Sequence, residues 1–211
     1  MKELISSPAI IIKFIVLLTF LHALFRLKTK KRINQYLFYI LGISTLIEII
    51  NTYLQVKGLS YALFSTFRVI VITIFWFRIL QLIITTKRLI IATTVVFCLF
   101  ALFNFLFMEG PLQFNYYTLL VGAFLYSVFF IFESFFQLKR ENFYFFQSNK
   151  YILLFSPIIF FLGLSILFLF KSNALITANF FNNIKSYTYI HSLVNVVFYL
   201  SLNYYILKEK R

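Results

Sequence analysis

The side chains best suited to chemistry in this chain sit where charge is least expected, inside long apolar runs. The stretch "LIEIINTYLQ" (46–55) carries Glu48, Asn51 and Gln55, and with Ser44 these fall at i, i+4, i+7 and i+11. At 3.6 residues per turn that spacing makes one narrow polar stripe on an otherwise greasy helix. A charge at the centre of a membrane helix costs about 2.5–3.5 kcal/mol, so its bearer is expected to face a bundle interior, a partner or water. A carboxylate there can hold a cation or a proton. A guanidinium can clamp an anion, and an imidazole can do either job according to its protonation.

Depth along each helix, at 1.5 Å per residue, sorts these groups into two tiers. Glu48 and Arg68 both fall roughly 4 Å outside the midplane on consecutive antiparallel spans, so an ion pair between them is expected. Asn51 and His191 lie roughly 8 Å outward, Lys13 about 6 Å and Asn195 about 2 Å. Lys13, Glu48, Asn51, Arg68, His191 and Asn195 are therefore the expected outer tier, a ligand-binding or proton-linked cavity with net positive charge. An inner tier of His22, Arg78, Glu133 and Asn203 is expected roughly 7–11 Å on the other side. Two further stripes support interior faces: Tyr126, Phe130, Glu133 and Gln137 on one helix, and Thr188, His191, Asn195, Tyr199 and Asn203 on another. Against each functional reading stands a structural one. Glu48–Arg68 can be a bridge that fixes two helices, His191 a packing histidine, and Lys13 a side chain that snorkels to the interface.

The elements that must position these residues are membrane spans. Of 211 residues 62% are hydrophobic and only 12% charged, with six Glu and no Asp, a balance outside the soluble range. Seven runs are long enough to cross a bilayer: 8–26, 35–56, 60–83, 89–108, 116–138, 151–170 and 186–207. They are separated by "RLKTKKR", "VKGLS", "TTKR", "MEGPLQFN", "KRENFYFFQSNK" and "KSNALITANFFNNIK", none long enough for a soluble domain. The expected fold is an all-α integral membrane protein, a single seven-helix domain over residues 1–211. Pro157 should kink the sixth span. Lys13 interrupts the first apolar run and no small-x-small site follows, so that run reads as a retained helix.

Positive charge sets the orientation. With the N-terminus outside, one face receives Arg26, Lys28, Lys30, Lys31, Arg32, Lys87, Arg88, Lys139, Arg140, Lys150, Lys208, Lys210 and Arg211. The other receives Lys2, Lys57, Lys171 and Lys185. This places the N-terminus out and the C-terminus in, and it accounts for the net charge of +14 without nucleic acid. Arg26, Lys28, Lys30, Lys31 and Arg32 are expected to rest on anionic lipid. "ENFYFFQ" reads as an aromatic interfacial anchor, with docking of a partner protein as the alternative. The expected location is a bacterial inner or plasma membrane.

Absent signals narrow the function. There is no P-loop, H-E-x-x-H, G-x-S-x-G or dinucleotide fingerprint. "HSLVN" (191–195) echoes the H-x-x-x-N element of CAAX-type membrane proteases, but "IEIIN" lacks their paired glutamates and arginine. With two His, one Cys (Cys98, in an apolar span) and no Asp, neither a transition-metal site nor an internal disulfide is expected, and no cofactor is implied. The last span has no lysine to hold a retinal. The layout shares topology alone with G-protein-coupled receptors. The expected function is a non-enzymatic sensor or receptor-like subunit that binds a small ligand and signals to a separate protein. A small-solute or proton-coupled transporter using Glu48 and Glu133 is the alternative, and an intramembrane enzyme with His191 or Glu48 as base is third.

Overall fold

The computed structural model describes residues 8–169, 179–181 and 184–209. Among the described residues eight helices follow in order: α1 (Pro8–Arg26), α2 (Arg32–Val56), α3 (Ala62–Ile83), α4 (Lys87–Phe103), α5 (Tyr116–Lys139), the short α6 (Phe143–Gln147), α7 (Asn149–Leu169) and α8 (Ser186–Glu209). A π-helical turn, Asn104–Met108, prolongs α4. A two-stranded antiparallel ladder, β1 (Asn179–Phe181) and β2 (Ile184–Lys185), leads into α8.

Six of these helical segments are long and apolar enough to cross a membrane: α2, α3, α4 with its π turn, α5, α7 and α8. Helix α1, at 19 residues, packs between α2 and α8. The surface agrees with a membrane setting. Phe25, Phe107, Phe124 and Phe135 stand 66–78% exposed, while Thr19, Asn34, Thr73 and Asn104 are fully buried. In water that distribution would be inverted; in lipid it removes polar groups from hydrocarbon. Several hydroxyls inside the helices are silenced locally: Thr45, Thr94, Ser127, Ser134 and Ser156 each donate to the carbonyl four residues back.

The helices form a closed circuit. α1 packs on α2, α2 on α3, α3 on α5, α5 on α7, α7 on α8, and α8 returns to α1. α4 lies outside that ring against α3 and α5. α3 also reaches α7 across the interior, which places Trp76 and Phe77, both fully buried, in the middle of the bundle. Small residues permit the closest approaches. A Cβ on Gly122 would stand 3.0 Å from both Thr73 and Phe97, and one on Gly163 would meet Val194 at 2.6 Å. α7 continues through Pro157, which has no N–H to offer the carbonyl of Leu153.

Because the helices alternate in direction, the connections fall at two ends. The upper end carries residues 57–61 and 109–115, and the lower end carries 27–31, 84–86 and 140–148.

Candidate functional site: a one-ended polar cavity

The polar stripe of α2 faces the ring interior. Arg68 on α3 donates through Nη1 to Oε2 of Glu48 at 2.9 Å, the ion pair the two helices were expected to make. One turn above, Asn51 donates through Nδ2 to Ser65 Oγ at 3.0 Å. Each α2 group thus meets its counterpart on α3 at matching depth, because two antiparallel helices joined by a short loop keep register over their first turns. Lys13 reaches in from α1 and donates to Gln55 Oε1 at 3.4 Å.

These groups line a cavity of about 560 Å³ in the upper half of the bundle. All six outer-tier residues lie on its wall: Lys13, Glu48, Asn51, Arg68, His191 and Asn195. Ser44, Gln55, Ser65 and Thr188 complete the polar lining. Gln55, Ser60 and Tyr61 are exposed at its upper rim. On α8, Asn195 donates to the carbonyl of His191 at 2.8 Å, with its Nδ2 3.4 Å from the imidazole Nε2. The charged groups are only partly withdrawn, with side chains 29% (Arg68) and 20% (Glu48) exposed.

The opposite wall and the floor are aromatic, a feature the sequence reading did not identify. Phe114, Tyr116 and Phe168 form one cluster, with centroids 4.8–5.8 Å apart. Phe160, Phe161, Phe198 and Tyr199 form the other, and beneath it lie Trp76, 6.3 Å from Phe198, and Tyr126, 5.6 Å from Phe161. In sequence these rings are hidden among 31 Phe and 14 Tyr, so their number gave no signal. Only the tertiary fold separates lining rings from lipid-facing ones.

The inner tier does not assemble. His22 Nδ1 lies 2.6 Å from Asn203 Oδ1, which makes that nitrogen the donor, and Asn203 passes the chain on to Thr19 Oγ1 at 2.7 Å. That group belongs to the α1–α8 seam. Glu133 is on the other side of the molecule, 1% exposed, where it accepts from the N–H and hydroxyl of Thr85 and from Gln137 Nε2. Arg78 is exposed and donates to Gln81 at 2.9 Å. Similar depth had suggested one tier; depth fixes height along the bundle but not the angle around it. None of the four lines the cavity, and the aromatic layer lies between it and the lower groups.

Two polar clusters went unread in the sequence. Glu109 caps α5 by accepting from the backbone N–H groups of Tyr116 and Tyr117 at 2.9 and 3.0 Å, and it also accepts from Asn104 Nδ2. At the lower end, Glu209 pairs with Lys31 and accepts from Asn149, while Tyr205 donates to Asn34 Oδ1 at 2.7 Å. The acid at 109 and the terminal Glu209 lay at span edges, where a polar residue carries no penalty and so no signal. Around this lower end the fold gathers Arg26, Lys28, Lys30, Arg32, Lys87, Arg88, Lys139, Arg140 and Lys150. The aromatic helix α6 joins them, with Phe143 60% and Tyr144 86% exposed.

Among the described residues no three His, Cys or Glu side chains converge as a metal site would require. A second hollow, between α2, α3 and α4, is bounded by aliphatic and aromatic side chains with Thr66 and Cys98. It offers lipid a groove and no reactive constellation. Comparison with protein-family models, with curated proteins and with solved structures finds no match.

Proposed function

We propose that this chain is a receptor-like membrane subunit that binds a small molecule in the upper cavity and reports it to a separate protein at the basic lower end. The observation that carries the reading is the shape of the polar interior. It is a cavity of about 560 Å³ with a polar rim and an aromatic floor, a volume within the range of small-molecule sites. In this reading seven helices span a bacterial inner or plasma membrane with the N-terminus outside, so the cavity faces out and the basic end faces in. The bias of Lys and Arg toward the lower end supports that orientation.

Helix α8 supplies the link. It carries His191 and Asn195 in the cavity wall, Tyr199 on the floor, and Tyr205 and Glu209 in the lower network. A ligand that shifts α8 would therefore act on both ends. No catalytic role is assigned: Glu48 is engaged with Arg68.

The test is a pull-down from the native membrane after cross-linking, read by quantitative mass spectrometry. A stoichiometric partner cross-linked to residues 139–150 or to the end of α8 is the expected result. Recovery of the chain alone, together with solute flux in proteoliposomes that is lost in Glu48→Gln, would replace this reading with a carrier.

A further inference from the structure

The cavity's chemistry narrows what it would hold, given the binding role proposed above. Among the described residues its lining holds two cations, Lys13 and Arg68, and one carboxylate, Glu48. Arg68 touches Glu48 at one point, Nη1 to Oε2. A guanidinium has five N–H donors in a planar fork, so most of its donor capacity remains for a second, bidentate acceptor. The planar fork of that free edge matches a carboxylate.

Much of the remaining lining is flat and apolar: Phe160, Phe161 and Phe198 on the floor, Phe114 and Phe168 on the wall.

We infer that the cavity is a site for an aromatic carboxylate. The carboxylate sits on the free edge of Arg68, with Lys13 supplying the long-range charge. The ring lies against Phe160 and Phe198. Two sources share the anionic part of this chemistry, a free aromatic acid and a bilayer-derived fatty acid, and the experiment separates them.

The chain's single tryptophan, Trp76, lies directly beneath Phe198 and serves as the reporter. Protein in nanodiscs is titrated with phenylacetate, its neutral amide and octanoate, and Trp76 emission is followed. Phenylacetate is expected to give a saturable change at least about tenfold tighter than its amide, a margin of about 1.4 kcal/mol. Arg68→Lys keeps a preference for the acid at reduced affinity, whereas Arg68→Gln erases it. A thermal melt of each variant shows that it is folded.

Equal binding of acid and amide by the wild-type protein overturns the anion assignment while leaving a ligand cavity in place. So does an acid preference that survives in folded Arg68→Gln. Tighter binding of octanoate than of phenylacetate overturns the aromatic part and assigns the site to fatty acid. Absence of a saturable response to all three probes overturns the inference outright, and the cross-linking pull-down then judges the receptor reading on its own.

Discussion

Glu48 and Glu133 present the same side chain on two membrane-length helices, and the fold treats them in opposite ways. Glu133 is 1% exposed and its carboxyl accepts three hydrogen bonds, two from Thr85 and one from Gln137. Its capacity is spent on closing the α3–α4 turn against α5. Among the described residues Glu48's side chain bonds to Arg68 alone, and it fronts a cavity that also holds Lys13 and His191. The contrast separates a polar residue that completes the fold from one that still has bonds to offer. Hydrophobic context alone flags both equally; only the count of partners tells them apart.

The largest effect should come from emptying the satisfied site. Glu133→Ala leaves the Thr85 N–H, the Thr85 hydroxyl and the Gln137 amide without their acceptor. At about 1–3 kcal/mol per stranded donor, partly relieved by rearrangement, a loss of about 3 kcal/mol is expected. For a chain of this length that lowers Tm by roughly 6–12 °C in detergent or nanodiscs. Glu48→Gln keeps a hydrogen-bond acceptor for Arg68 in a partly solvated cavity, so its Tm should move by less than about 4 °C. If the two melts came out in the reverse order, the distinction drawn between these glutamates would collapse.

A tight seam and an open one meet on α8 itself. Val194 closes on Gly163 of α7, where an added Cβ would stand 2.6 Å from one of its methyl carbons. Its neighbour Asn195 faces the cavity. Gly163→Ala should therefore overpack the seam by about 1–3 kcal/mol. Thermal melts should show most of that loss recovered in a Gly163→Ala, Val194→Ala double variant. Asn195→Ala, on the open side, should cost less than Gly163→Ala although it removes three side-chain heavy atoms where the other adds one. A double variant no more stable than the single one would show that the seam can relax by other means.

Much of the upper cavity was readable without coordinates, and the reasons are specific. The α2 stripe depends only on helical period, and the Glu48–Arg68 match depends on period plus a short antiparallel connection. Both are local facts, and both residues line the cavity. The lower groups failed where angular position mattered. His22 and Glu133 share a depth, yet one faces the α1–α8 seam and the other the turn between α3 and α4. Which helices adjoin is a property of the whole ring. The aromatic floor stayed hidden for another reason: a ring facing lipid and a ring facing a ligand are both tolerated by an apolar helix, so composition cannot sort them.

The smallest expected effect concerns the lower network, where satisfaction and exposure coincide. Lys31 pairs with Glu209, but the lysine side chain is 66% exposed, so the bond competes with water and lipid headgroups. Exposed pairs of this kind contribute about 0–1 kcal/mol. Lys31→Gln should accordingly shift Tm by less than about 4 °C. Tyr205→Phe, a few residues away, removes the hydroxyl that donates to buried Asn34 and leaves that amide oxygen unpaired, so it should cost more. Comparing the two melts asks whether the lower end is held by its charges or by its buried hydrogen bonds. A larger loss in Lys31→Gln would mean that the ion pair fastens α8 to the loop between α1 and α2.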